Sequence, residues 1–368
     1  MKHRLTVLSS IIINLLLIGI SFPIQAQISG YTPIFTSTEY ISNARWSNDG
    51  TLFTFQEEPL IFSDQDVDTK AGFYTEDDTW YGYPVILGQP VRSDTQLLSS
   101  NQWLLASELK ENINNLPQLA SRDGQPSFAF VSPDGRFAVY AALQQAEYQY
   151  YSLAVANLET GKMVTTTAVQ VFGLKDFSSN YHVIWSGDSA AFTIETTSAY
   201  AAAFVHYITG YAEDLNKITF TRLDDGIPKG DDPQIVQMQP WALSYDGKRV
   251  LLGIYASSGL AIWNTDKSPV DSLTLINPRI IGKDAASVVQ AATFTTDEQS
   301  VLYLGTEGLV QYDLASRNAI VLDDKVKATT DIHGYFSPDA THLGIIENHH
   351  PINEPNYWAA YVIDVNTK

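Results

Sequence analysis

A turn signature that recurs along the chain, copies set about 48 residues apart, and aromatic and β-branched runs on both sides of each copy together predict an all-β fold. The arrangement that this period suits is a β-propeller of seven four-stranded blades, since one such blade uses ~40–50 residues. In each copy an apolar residue precedes Ser or Thr, one further residue follows, then Asp, and often Gly. The copies centre on Asp49, Asp134, Asp188, Asp246, Asp297 and Asp339, with a weaker one at Asn101. The chemistry explains the letters. An Asp side chain accepts hydrogen bonds from backbone N–H groups just ahead of it, Pro presets the first corner, and Gly takes positive φ freely. These six aspartates are therefore expected to shape turns rather than to carry reactions.

Taken in order, the elements follow from the same alternation. Phe128–Val131 and Phe137–Tyr140 flank the turn at Asp134 and read as the two strands of a hairpin. The run Tyr151–Ala156, a second turn over Asn157–Lys162 and the run Met163–Thr167 supply a third and a fourth strand. Unit six repeats this pattern with Leu309–Leu314, a turn at Ala315–Arg317, and Ala319–Leu322. The last unit differs, because the chain stops shortly after Tyr361–Val365 with no outermost strand left to come. The segment Tyr31–Thr38 precedes the first hairpin and is expected to fill that place, so that an N-terminal strand completes the last blade and no edge is left open. One propeller over residues 27–368 accounts for all of the chain beyond its first 26 residues.

The Ser-Pro-Asp turn followed by an apolar strand, clearest at Val131–Tyr140 and Phe336–Leu343, resembles the WD40-like propeller repeat of the TolB type. The Trp-Asp ending of true WD40 repeats is missing at the expected place. The resemblance implies a propeller and an extracytoplasmic scaffold role, and it assigns no catalytic residue.

Composition narrows the function. The 368 residues are 45% hydrophobic and 17% charged, which provides a large core. The absence of cysteine removes disulfides, thiolate metal sites and cysteine nucleophiles. A formal charge of −19 repels phosphate backbones, so nucleic acid is not an expected partner, and cations or basic protein patches are the natural complements. The start reads as a secretory signal: Met1-Lys2-His3-Arg4, an apolar run over residues 5–22, and Ala26 at the presumed cut. The alternative is an uncleaved membrane anchor; no later segment is apolar and long enough to span a bilayer. Either way the propeller is expected outside the cytoplasm.

Four groups of residues are candidates for chemistry or binding. His182 and His333 each stand four residues before a turn hydroxyl, Ser186 and Ser337, which places them alike at the start of an innermost strand near the channel mouth. They would serve a hydrolase or lyase acting on polysaccharide in the central funnel, or else simply line a wet channel. Tyr148, Tyr150 and Tyr151, with Tyr200, Tyr207 and Tyr211 in the next unit, offer a groove for a peptide, glycan or protein, or pack between blades. Asp64, Asp66 and Asp68 form the densest run of acids and could converge on calcium, although Thr69 and Thr75 stand where an EF-hand needs Gly and Glu. His349 and His350 fall in the polar, proline-containing stretch 347–356, which reads as a loop. No nucleophile elbow, zincin motif, phosphate loop or dinucleotide fingerprint is present. The reading that results is a non-enzymatic binding scaffold with no cofactor required, the funnel enzyme being the alternative.

Overall fold

The computed structural model describes residues 28, 30–46, 50–58, 79–84, 96–98, 121–122, 125–126, 129–145, 150–172, 181–196, 205–209, 220–222, 238–254, 259–267, 273–276, 289–329, 331–349 and 355–365. A short first strand, β1 (Phe35–Ser37), is followed by a sheet of β2 (Tyr40–Trp46), β3 (Leu52–Glu58), β4 (Thr79–Pro84) and β5 (Gln96–Leu98). A small ribbon of β6 (Ser121–Arg122) and β7 (Gln125–Pro126) leads to β8 (Ala129–Val131), β9 (Phe137–Gln145), β10 (Tyr150–Asn157) and β11 (Met163–Phe172). Next come β12 (Tyr181–Trp185), β13 (Phe192–Thr196), β14 (Val205–Thr209) and β15 (Phe220–Arg222). They are followed by β16 (Met238–Leu243), β17 (Arg249–Ile254), β18 (Gly259–Asn264) and β19 (Thr274–Ile276). The chain continues with β20 (Val289–Phe294), β21 (Ser300–Gly305), β22 (Gly308–Asp313) and β23 (Ala319–Asp323), and ends with β24 (Ile332–Phe336), β25 (His342–His349) and β26 (Tyr357–Asp364).

Among the described residues these strands make six four-stranded antiparallel sheets, each an up-and-down meander in chain order. The last sheet is the exception. Its order is β1-β26-β25-β24, so a strand from the start of the chain is its outer member, with Phe35 opposite Ala360 and Ser37 opposite Trp358. The Ile34 amide extends this pairing by donating to the Ala360 carbonyl at 2.8 Å.

Alternation in the strands builds the contacts between sheets. Successive side chains point to opposite faces, and both faces of a middle strand are covered, so β21 is buried at every position. Tyr303 and Val310 face one way and join Leu251, Leu260 and Phe294 in a core shared with the sheet before. Leu304 and Leu309 face the other way and meet Leu343, Ile345 and Tyr361 of the last sheet. That sheet in turn sends Ile346, Ala360 and Val362 toward Ile41, Phe53 and Phe55 of the first. Burying one such side chain contributes roughly 1.5–3 kcal/mol, so each seam holds without any disulfide.

The first strands lie side by side: β12 adjoins β16, β16 adjoins β20, β20 adjoins β24, and β24 adjoins β2. Two indoles tie sheets at equivalent positions. Trp185 donates to the Phe130 carbonyl at 3.2 Å and Trp46 to the Tyr335 carbonyl at 2.7 Å, in each case reaching the inner strand of the neighbouring sheet two residues before its turn Ser. Four-stranded meanders packed face to face in chain order, with their first strands inward, constitute a β-propeller. The Asn101 copy lies outside the described residues. No helix among the described residues is long and apolar enough to cross a membrane.

Candidate functional site

In a meander the first-to-second and third-to-fourth connections fall at one end of the sheet, and the remaining connections at the other. The recurrent turns thus gather at one end of the molecule, and they share one geometry. Ser132, Ser186, Ser244, Thr295 and Ser337 each donate their hydroxyl to the Asp two residues on, at 2.6–2.8 Å. The same oxygen accepts the backbone N–H five residues on, at 2.9–3.1 Å. The Asp also accepts the N–H two residues beyond itself, at 2.9–3.1 Å. The residue after the Asp is left-handed in each of these five copies: Gly135 and Gly247, and also Ser189, Glu298 and Ala340, with φ from 54° to 71°.

This cycle sets the charge state of the corners. Partial burial of Asp134, Asp246 and Asp339 works against their charge, but the hydrogen bonds received from hydroxyl and amide outweigh it and hold all three below the usual carboxylate range. Asp297 is held low chiefly by the Thr295 hydroxyl. Ionised and saturated with donors, these groups have little capacity left for a metal or a reacting atom. Asp49 lies outside the described residues.

Adjacent turns are also linked to one another. The Asp134 amide donates to Ser189 Oγ at 3.0 Å, and the Asp188 amide to the Tyr245 carbonyl at 3.0 Å. The Tyr245 amide donates to the Glu298 carboxylate, which also receives the Arg249 guanidinium. Tyr245 is thus fixed through both its N–H and its C=O, while its side chain is 65% exposed. Its ring lies on Gly187, where a Cβ would come within 2.3 Å of Cδ2, so this neighbour has to be glycine. The outcome is a rigidly mounted, accessible tyrosine on a face of interlocked turns. Sequence reasoning passed over it. The signal was there, in an aromatic residue at the exposed corner that two other copies fill with Pro133 and Pro338.

The other candidates are distributed as follows. His333 stands on the inner strand β24, open to solvent, with surrounding protein partly excluding bulk water and holding its pKa below the ordinary value against the pull of Asp331. His182 is on β12 opposite Glu195, and its side chain lies outside the described residues. Tyr150 and Tyr151 open β10, and Tyr207 is in β14 opposite Ile194 and Arg222; their side chains are likewise outside what is described. Tyr148, Tyr200, Tyr211, Asp64, Asp66 and Asp68 lie outside the described residues altogether. Among the described residues no three metal-ligating side chains converge.

His349 differs from the expectation of a loop. It is the last residue of β25 and is buried, stacked on Tyr357 at 4.3 Å and paired with the buried Glu347 carboxylate at 2.9 Å. The Tyr361 hydroxyl lies 3.4 Å from its Nε2. Burial, followed by the nearby Glu347 charge, pushes the Tyr361 phenol well above its ordinary value. Partners on β25 itself and on the adjoining β26 keep these polar residues in the sheet.

No protein-family model matches the chain, and no curated protein matches it. Among solved structures it is similar to TolB from Acinetobacter baumannii, at 14% identity over 78% of this chain and a TM-score of 0.39; the match spans 55% of that TolB. It is similar as well to a putative TolB from Agrobacterium tumefaciens, at 13% identity, over 90% of this chain and 92% of that one, with a TM-score of 0.44. A third is the Cps50 (Swd1) β-propeller domain from Myceliophteria thermophila, at 13% identity, over 63% and 67%, with a TM-score of 0.39. The propeller assignment rests on the sheet order and the seams between sheets.

Proposed function

We propose that this chain is an extracytoplasmic β-propeller that acts as a non-enzymatic scaffold for a protein, peptide or glycan. In this reading residues 1–26 are a leader removed after Ala26, seven blades form the ring, and β1 closes it by completing the blade of β24–β26. The antiparallel pairing of β1 with β26 supports closure. A chain beginning at Glu39 loses the buried Ile28 and Ile34 together with β1, and is expected to melt well below, and less cooperatively than, a chain beginning at Gln27. Equal melting would remove closure from the reading.

The observation that carries the scaffold role is Tyr245. An aromatic side chain held out by a backbone that is already fixed loses little entropy when a partner covers it, and anchors of this kind dominate binding energy at interfaces. A photo-reactive phenylalanine analogue placed at position 245 is expected to cross-link one discrete partner in the native extracytoplasmic fraction. The same analogue at Leu275, also 65% exposed but on the outer strand β19, should not. Equal yields at the two positions, or none at 245, would count against the scaffold.

A further inference from the structure

The outer strands of the sheets are not alike. β1, β5, β15 and β19 are each three residues long, whereas β23 has five, with neither proline nor charge from Asn318 to Leu322. β11 is longer still, but its side chains from Thr166 onward lie outside the described residues. Edges that are short, charged or interrupted by proline resist pairing with another chain, and β23 has little of that protection. Among the described residues it pairs on one side only, with β22. Ile320 is 54% exposed and Val321 39%, although the two point to opposite faces of the strand.

The strand inside it sets the backbone of this edge. The Asp313 amide donates to the Asn318 carbonyl at 2.9 Å, so by the alternation of an antiparallel ladder Ile320 bonds inward to Gln311. Ala319 and Val321 therefore turn their N–H and C=O groups outward. If an antiparallel strand added here is β23 of a second copy, the two-fold axis falls on Ile320 or on Val321. An axis on Val321 sets Arg317 level with Lys325 of the other copy, like charge on like. An axis on Ile320 sets Arg317 level with Asp323 at both ends, Ile320 against its own counterpart, and Val321 against Ala319. Both exposed apolar side chains are then covered. Arg317 is exposed in the turn before the strand, and Asp323 is held by the Tyr31 hydroxyl and the Lys325 amide, which both donate to it. A second copy matches this pattern by symmetry, and on a chain of −19 the uncharged stretch lets two copies meet without opposing their acids.

We infer that the outer edge of β23 is a homodimer surface, on which β23 of a second copy pairs antiparallel about a two-fold axis at Ile320. It draws neither on Tyr245 nor on closure by β1, so this inference and the scaffold reading can fail separately. The test uses the chain from Gln27 onward, which holds every described residue. Because the chain has no cysteine, single substitutions report the register directly. Facing residues of a pair without hydrogen bonds have Cα atoms about 4.5 Å apart, within disulfide reach, whereas diagonal neighbours at about 7–8 Å are beyond it. Under mild oxidation Ile320→Cys is expected to give a covalent dimer, Val321→Cys much less, and Leu275→Cys, on the exposed outer strand β19, only a background level. Sedimentation velocity on the parent should show a monomer–dimer equilibrium. Ile320→Lys opposes two like charges across the axis and is expected to weaken dimerisation at least about 10-fold, and Arg317→Glu about 3- to 10-fold. Leu275→Lys adds the same charge as Ile320→Lys elsewhere and should dimerise as the parent does. All these side chains are exposed, so melting temperatures should stay near the parent's. Cross-linking at 320 no greater than at 275, or equal loss of dimer in Ile320→Lys and Leu275→Lys, would overturn the surface. A parent that stays monomeric at every concentration would overturn it too and leave the edge to a strand of a different protein.

Discussion

The two ends of the sheets are built by opposite rules. At the turn end, five described corners repeat one hydrogen-bond cycle almost atom for atom, and those at Asp134, Asp188, Asp246 and Asp297 are tied each to the next. At the other end the connections between second and third strands range from the two residues between β21 and β22 to the twenty between β3 and β4, and no two are alike in sequence. Repetition marks what every sheet needs, which is a reversal that also locks it to its neighbour. Variation marks where sheets differ, and the edge-to-face contact of Tyr40 with Trp358 is on that side. Tyr245 shows that a repeated corner can acquire an individual feature as well, provided the backbone cycle beneath it is kept.

The most severe way to break this contrast is at Gly247. Its φ is +67°, and an added Cβ would come within 2.5 Å of the Ala191 Cβ in the preceding sheet, so the residue answers both to its own turn and to the neighbouring one. Gly247→Ala combines a left-handed alanine, costing ~1–2 kcal/mol, with overpacking of ~1–3 kcal/mol. A fall in stability of about 3 kcal/mol in urea or thermal unfolding is expected. A loss under about 1 kcal/mol would mean that adjacent turns are not tightly interlocked.

How much of this could be read from the letters depends on how far apart the partners are. The hairpins were legible because each turn and its flanking runs lie within about ten residues and obey local rules of φ and alternation. The outer position of β1 was legible for a different reason, since the last unit lacks a strand and only the N-terminal segment was left to supply one. The strand character of His349 was not. Its letters are polar and Pro351 follows shortly after, yet Glu347, Tyr357 and Tyr361 satisfy it inside the protein. Contacts between turns, such as that of Asp134 with Ser189, span 55 residues and leave no local pattern. For the same reason the Tyr40–Trp358 pair, drawn from the two ends of the chain, could not be seen beforehand.

A milder perturbation acts on three of the corners together. Asp134, Asp246 and Asp339 have folded-state pKa values held below the unfolded value near 3.8, so their contribution to stability is fully present above that value and is lost as pH falls through the folded pKa. Melting temperature should be flat with respect to these groups from neutrality down to about pH 5 and decline below about pH 4. In Asp339→Asn, which keeps an acceptor for the Ser337 and Thr341 hydroxyls but cannot titrate, the acid decline should be shallower. Parallel curves for parent and variant would show that this corner contributes nothing to acid stability.

The smallest effect is expected where a corner departs from the consensus at its left-handed position. Ala340 has φ 59° and follows Asp339 where other copies place Gly135 or Gly247. Replacing it with glycine relieves a left-handed alanine, a gain of ~1–2 kcal/mol, and adds unfolded-chain entropy, a cost of ~0.5–1 kcal/mol. The Ala340 methyl is buried at 6% exposure, so removing it forfeits part of a methyl contact, ~0.5 kcal/mol. The terms nearly cancel, and Ala340→Gly is expected to change stability by no more than about 0.5 kcal/mol, against about 3 kcal/mol lost by the reverse exchange at Gly247. That asymmetry separates the two demands on a corner. At 340 only the backbone angle is at issue, whereas at 247 the neighbouring sheet also occupies the space. A loss above 1 kcal/mol at 340, read in the same unfolding experiment, would show that its methyl holds the seam to the first sheet and that this corner too is defined by its neighbour.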